Sequence, residues 1–170
     1  LRYSTAIILK PRQVGGSVLA SRLVLARLFS ADHFGEPQAI LHTAQTRNIA
    51  AGIWRQCAGL VADKYGDEIR IRKSNGQEAI ELPDGSSYEI AAANLEAVPG
   101  KSLSCVLLDE VWTHKNTLVY EEGIKPAMSA RDQVQTIMVT SQGATSSALL
   151  SKYKTLALEQ AKDPDTARYL

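Results

Sequence analysis

The run Lys10-Pro11-Arg12-Gln13-Val14-Gly15-Gly16-Ser17 follows a short apolar stretch, Thr5-Ala6-Ile7-Ile8-Leu9, and precedes residues whose apolar members recur at helical spacing. Glycines in such a turn let backbone N–H groups approach an anion, and the first turn of the following helix adds its dipole and unpaired donors. That is the chemistry of a phosphate-binding loop. The usual pattern, G-x-x-x-x-G-K-[ST], is not met, because Gly16 stands at the lysine position and Lys10 at that of the first glycine. A lysine at the start of the loop can still swing across bound phosphates, so Lys10 is the candidate for the missing charge. Ser17 keeps the hydroxyl that would ligate Mg2+.

A second group of residues fits the same chemistry. Val106-Leu107-Leu108-Asp109-Glu110 is an apolar strand delivering two adjacent carboxylates at its end. One can hold the shell of a magnesium ion, and the next can orient or deprotonate an attacking water. Either motif alone has an ordinary structural use, as a glycine-rich turn or as acids at a strand end; together they indicate a P-loop ATPase. A third group, Thr140-Ser141-Gln142-Gly143, ends another apolar run. Hydroxyls and an amide can exchange hydrogen-bond partners when a phosphate departs, although the same residues also serve as a strand-to-helix turn with a cap.

These groups need a scaffold that carries several strand ends to one place, and the chain reads as one. Thr5 to Leu9 and Gln38 to Thr43 read as strands, and Ser17 to Ser30, Thr46 to Tyr65 and Ser146 to Ala161 as helices. Val106 to Leu108 and Thr136 to Val139 are continuous apolar runs, expected as central parallel strands buried on both faces. Between them and the first half, Glu68 to Arg72, Glu78 to Leu82 and Tyr88 to Ala92 alternate polar and apolar residues across Ser74-Asn75-Gly76 and Pro83-Asp84-Gly85. They are expected as antiparallel strands on tight turns. The predicted class is α/β: a doubly wound, mostly parallel sheet flanked by helices, with an antiparallel hairpin insertion or edge around 68–93 and the site at the carboxyl ends of the strands.

Bulk composition narrows the remaining choices. The chain has 170 residues, enough for one domain; Lys+Arg 19 against Asp+Glu 18 give a formal charge of +1, so no broad basic field marks a static nucleic-acid binder. Cys57 and Cys105 sit inside apolar segments without metal-ligand spacing and are expected as buried thiols. His33, His42 and His114 share no such spacing either. Trp54 and Trp112 are expected to pack, and Arg70, Arg72 and Lys73 to form a solvated strand edge. No apolar run reaches the roughly 18 residues of a membrane span. Leu1 is not an initiator Met and a strand-like segment starts almost at once, so an upstream portion is expected to be missing.

The series Pro11-Arg12-Gln13-x-Gly15, Thr43-Ala44-Gln45-Thr46-Arg47, Leu82-x-Asp84-Gly85-Ser86, Gly100-Lys101-Ser102 leading into Leu108-Asp109-Glu110, and Thr140-Ser141-Gln142-Gly143 resembles the ATPase domain of phage terminase large subunits across nearly the whole chain. In that family the loop lysine is often displaced to the start of the Walker A segment, as Lys10 is here. The resemblance implies an ASCE-type P-loop fold in which Lys10, Pro11, Arg12, Gln13, Val14, Gly15, Gly16 and Ser17 hold ATP, with Arg12 reading the γ-phosphate. It implies that Asp109 and Ser17 organise Mg2+, that Glu110 is the catalytic carboxylate, and that Thr140, Ser141 and Gln142 couple nucleotide state to movement. A basic finger completing a neighbour's site falls to Lys101, without arginine's planar fork. Implied partners are double-stranded DNA, the portal protein, the small terminase subunit and further copies in a ring, in the host cytoplasm at the procapsid portal. A nuclease domain would follow Leu170. Two alternatives stay open: a helicase-like translocase sharing these motifs, and a nucleotide-binding scaffold without hydrolysis, suggested by Gly16. If Lys10 is the displaced lysine, Gly16→Lys is expected to be tolerated or to restore a standard loop.

Overall fold

Continuous apolar runs become central strands because both of their faces are covered. In the computed structural model, which describes residues 4–11, 15–92, 100–111, 117–141 and 147–161, the element order is β1 (Thr5–Lys10), α1 (Gly16–Leu28), α2 (Ala31–Phe34), β2 (Ala39–Ala44), α3 (Arg47–Tyr65), β3 (Arg70–Arg72), β4 (Ala79–Glu81), β5 (Ser87–Ala92), β6 (Cys105–Asp109), α4 (Lys125–Met128), β7 (Gln135–Ser141) and α5 (Ala148–Ala161). Of the expected site residues, Arg12, Gln13, Val14 and Gln142 lie outside the described residues, as do Trp112, His114 and Gly143.

The strands form one sheet in the order β1-β7-β6-β2-β5-β4-β3. From β1 to β5 every neighbouring pair is parallel, and β4 and β3 extend the edge antiparallel. The antiparallel edge is where the alternating segments predicted it. Its last strand differs from expectation: β5 pairs antiparallel with β4 but parallel with β2, which joins the hairpins to the main sheet. The alternation in β5 reports burial of one face, not strand direction. Tyr88 and Ile90 enter the core, while Glu89 on the other face meets Lys101 and Arg72.

Two apolar layers sandwich the sheet. Ala20, Val24 and Leu28 of α1 and Trp54, Cys57 and Val61 of α3 pack on Ile40, Leu107 and Val139. On the opposite face, Leu41, Leu108 and Met138 meet Leu149 and Leu150 of α5 together with Tyr120, Ile124 and Met128. The last three belong to a helical segment not expected from the sequence, Val119–Ile124 wound as a π-helix and running into α4. Pro126 has no N–H to give back to the Glu122 carbonyl, so the regular ladder is interrupted there.

The amino ends of the strands are braced by arginines. Arg27, buried, reaches the Gln133 carbonyl at 2.6 Å and stacks 3.5 Å from the centre of the Phe34 ring. Arg131 reaches the Ser102 carbonyl, the Pro37 carbonyl and the Glu36 carboxylate. In the middle of the sheet His42 Nδ1 lies 2.9 Å from the Tyr88 hydroxyl, and burial pushes this imidazole down to about 4, which keeps it neutral. Arg70 and Arg72 of the edge strand pair with Glu81. Among the described residues no His, Cys, Asp and Glu cluster could hold a metal ion by itself, and no helix is long and apolar enough to cross a membrane.

Candidate nucleotide site

Side chains two apart on a strand share a face, so the packing of the strands also fixes where their tips point. Ile8, Leu107 and Val139 belong to the layer under α1 and α3. Two residues further along, Lys10, Asp109 and Ser141 therefore project to that same side. Register aligns them: Lys10 lies opposite Ser141, and Asp109 opposite Val139. The loop strand and the acidic strand are not neighbours, because β7 lies between β1 and β6. Ser141, buried, therefore stands on the strand between the loop lysine and the acidic tip, whereas Thr140, also buried, lies on the opposite face with Met138.

Among the described residues, the helix α1 begins at this place without a capping side chain, and its first turn holds no acidic residue. Its cap is Gly15, held at φ 78°, a left-handed conformation that costs a glycine little. The unpaired N–H groups and the dipole of a thirteen-residue helix thus stay available to an anion. Gly16 has a separate reason to be glycine. A Cβ built there would lie 2.5 Å from Lys10 Nζ and 2.8 Å from its Cδ. The lysine at the loop's start rests over the very residue that replaces the usual one. In Gly16→Lys the end of the flexible Lys10 side chain would have to shift to admit the new Cβ.

Lys10 Nζ stands 3.8 Å from Glu110 Oε1, and both side chains are largely buried. Glu110 is the single non-glycine residue with positive φ (55°) among the described residues, a conformation that bulky side chains rarely adopt. Its amide donates to Asp109 Oδ1 at 2.9 Å, so the bend after β6 is set by the aspartate itself. Burial, reinforced by the Glu110 charge, raises the Asp109 carboxyl above its ordinary range, against the opposing pull of the Glu110 amide and Lys10.

Lys10, Gly15, Gly16, Ser17 and Val18 from one side and Asp109, Glu110 and Ile49 from the other enclose a cleft of about 260 Å3. The loop after the first strand and the acidic tip of β6 are thus brought together as expected. Pro11 is exposed beside it. Lys101 is not among the residues lining this cleft; its ammonium pairs with Glu89 of its own chain. Ile49 and Leu60 stand at helical spacing with the buried Ile53, Trp54, Cys57 and Val61, yet both are exposed; Ile49, 39% exposed, forms part of the cleft wall.

A larger cavity of about 440 Å3 opens on the opposite side of the sheet, beside Tyr120, Met128 and Tyr153, and contains none of the residues marked for chemistry. The donor set of the smaller cleft suits a magnesium ion held through phosphate oxygens and water: a hydroxyl at Ser17 and a buried carboxylate at Asp109, with no third ligand needed from the protein.

Solved structures share this fold. The HK97 bacteriophage large terminase superimposes with a TM-score of 0.79 and 24% identity, over 95% of this chain and 34% of that one. The fold is that of a phage large-terminase ATPase domain. The ATPase domain of the Thermus phage P74-26 large terminase matches with a TM-score of 0.61 and 20% identity, over 80% of this chain and 58% of that one. The large terminase of a thermophilic bacteriophage, solved in complex with ADP, gives 0.60 and 13% over 81% of this chain and 33% of that one. This chain therefore spans about a third of the length of the HK97 terminase. No protein-family model and no curated protein sequence matches it. The resemblance of short motifs carried the fold, and of those motifs the described Lys10, Asp109 and Ser141 stand at the carboxyl ends of their strands.

Proposed function

We propose that this chain is the ATPase motor domain of a DNA-packaging terminase large subunit, which hydrolyses ATP with Mg2+ to drive double-stranded DNA into a capsid. The observation that carries the reading is the cleft in which the start of α1, Lys10 and the Asp109-Glu110 pair converge, with Ser141 opposite Lys10 on the neighbouring strand. Lys10 lies over Gly16 and supplies the positive charge that the loop otherwise lacks, the amides of Gly16 and Ser17 face the phosphates, and Ser17 and Asp109 hold the metal. The metal ion, when bound, neutralises charge on the phosphate oxygens. Glu110 orients the attacking water and accepts its proton, held in place by the strained turn it occupies. Thr140 and Ser141, both buried at the end of β7, couple the phosphate's departure to the rest of the domain, together with Gln142. Arg12 reads the γ-phosphate. Double-stranded DNA, the portal protein, the small terminase subunit and neighbouring copies in a ring are the partners of this role. Lys101 acts on a neighbour's nucleotide in that ring after releasing Glu89.

Phosphate release measured with portal and DNA present tests the reading. Wild type is expected to turn over, and Glu110→Gln to bind ATP while losing at least two orders of magnitude in rate, the range of general-base removal. If both proteins bind ATP and neither turns over, the chain is a nucleotide-binding scaffold and the motor reading fails.

A further inference from the structure

Arg47, the first residue of α3, belongs to a motif that the proposed chemistry leaves unused. A cation at the start of a helix faces the positive end of its dipole, so this position needs another reason. The structure supplies one. Arg47 Nη1 donates to Asn75 Oδ1 at 2.9 Å, and Nη2 pairs with the Glu78 carboxylate. The same carboxylate accepts the Gly76 amide at 3.0 Å, and the turn closes through the Gln77 amide on the Ser74 carbonyl at 2.9 Å. The Arg47 and Glu78 side chains are 23% and 10% exposed, so this is a largely desolvated clasp rather than a loose surface pair. It fastens the turn between β3 and β4 to the first turn of α3. Two residues along that same helical turn is Ile49, an exposed apolar side chain in the cleft wall.

We propose that Arg47 is a positioning residue for the nucleotide cleft: by clasping Asn75 and Glu78 it fixes the first turn of α3 and holds Ile49 against the bound ligand. The inference rests on the nucleotide reading of that cleft. It assigns the β3–β4 turn a part in binding although the turn supplies no group to the ligand.

Calorimetric titration with ADP tests it, using Arg47→Ala, Glu78→Gln, Ile49→Ala and the double variant Arg47→Ala/Ile49→Ala, with Lys10→Ala as control. Arg47→Ala and Ile49→Ala are each expected to weaken binding about five- to tenfold, and the double variant no more than the stronger single one, since the two act through one contact. Glu78→Gln should weaken binding less. A methyl spectrum of the ligand-free protein should show the Ile49 δ-methyl resonance displaced in Arg47→Ala while melting stays cooperative. Arg47→Ala binding as tightly as wild type, effects that multiply in the double variant, or an unmoved Ile49 methyl would each overturn the proposal. Failure of the nucleotide reading looks different: wild type and Lys10→Ala would then be equally poor binders.

Discussion

At the scale of single residues, Lys10 and Gly16 form one device. Lys10→Ala removes a charge-assisted hydrogen bond worth about 1.5–3 kcal/mol, so nucleotide affinity should fall about 10- to 100-fold. Gly16→Ala is expected to do the same while leaving the lysine in the sequence, because its Cβ takes the space of Lys10 Cδ and Nζ. Equilibrium binding of ATP to the two variants checks this, and full affinity in Gly16→Ala would show that Lys10 does not work across the loop. Asp109 makes a second prediction. Its carboxyl lies above the ordinary range in the folded protein, so the native state binds this proton more tightly than the unfolded chain. Stability then falls as pH rises through the interval between the unfolded and the folded value. Asp109→Asn removes the buried charge and keeps an oxygen for the Glu110 amide. Near neutral pH it should gain about 0.5–2 kcal/mol while abolishing magnesium-dependent turnover. Melting curves across pH read out the sign: the gain should shrink in acid.

At the scale of elements, the braces at the amino ends of the strands are separable from the chemistry at the carboxyl ends. Arg131→Ala breaks bonds to Glu36, Pro37 and Ser102 and should cost about 1–3 kcal/mol, seen as a lower Tm with unchanged ATP affinity. Loss of binding in that variant would mean that the two ends are coupled. Much of the element pattern was legible in the sequence because burial leaves a period: β6 and β7 as unbroken apolar runs, and β3 and β4 as alternating ones. Neighbour relations were not. An apolar run says that both faces are covered without saying by which strand, so nothing in Val106 to Leu108 revealed that β7 separates β6 from β1. Tyr88 to Ala92 looked antiparallel because one face is charged, although the strand also pairs parallel with β2. The helical segment before β7 escaped notice for a different reason: Pro126 and the wider turn before it disturb the spacing by which helices are recognised.

For the molecule as a whole, one cooperative core should govern access to its interior. Cys57 and Cys105 both lie in the layer beneath α1 and α3, and burial pushes each thiol up to about 12. A thiol reagent is therefore expected to modify neither in the native protein, and to modify both with the dependence on denaturant shown by global unfolding. Labelling of one cysteine well before the other would reveal two independently opening units.

Hydrogen bonding of β7 on both flanks, to β1 and to β6, limits how any signal leaves the cleft. Sliding the strand by one residue would exchange the side chains that fill the two apolar layers and break the hydrogen-bonded register on both flanks. A piston stroke along the sheet is thus barred. Any change that starts at the cleft therefore has to leave the register of β7 intact, with the sheet serving as a fixed bearing.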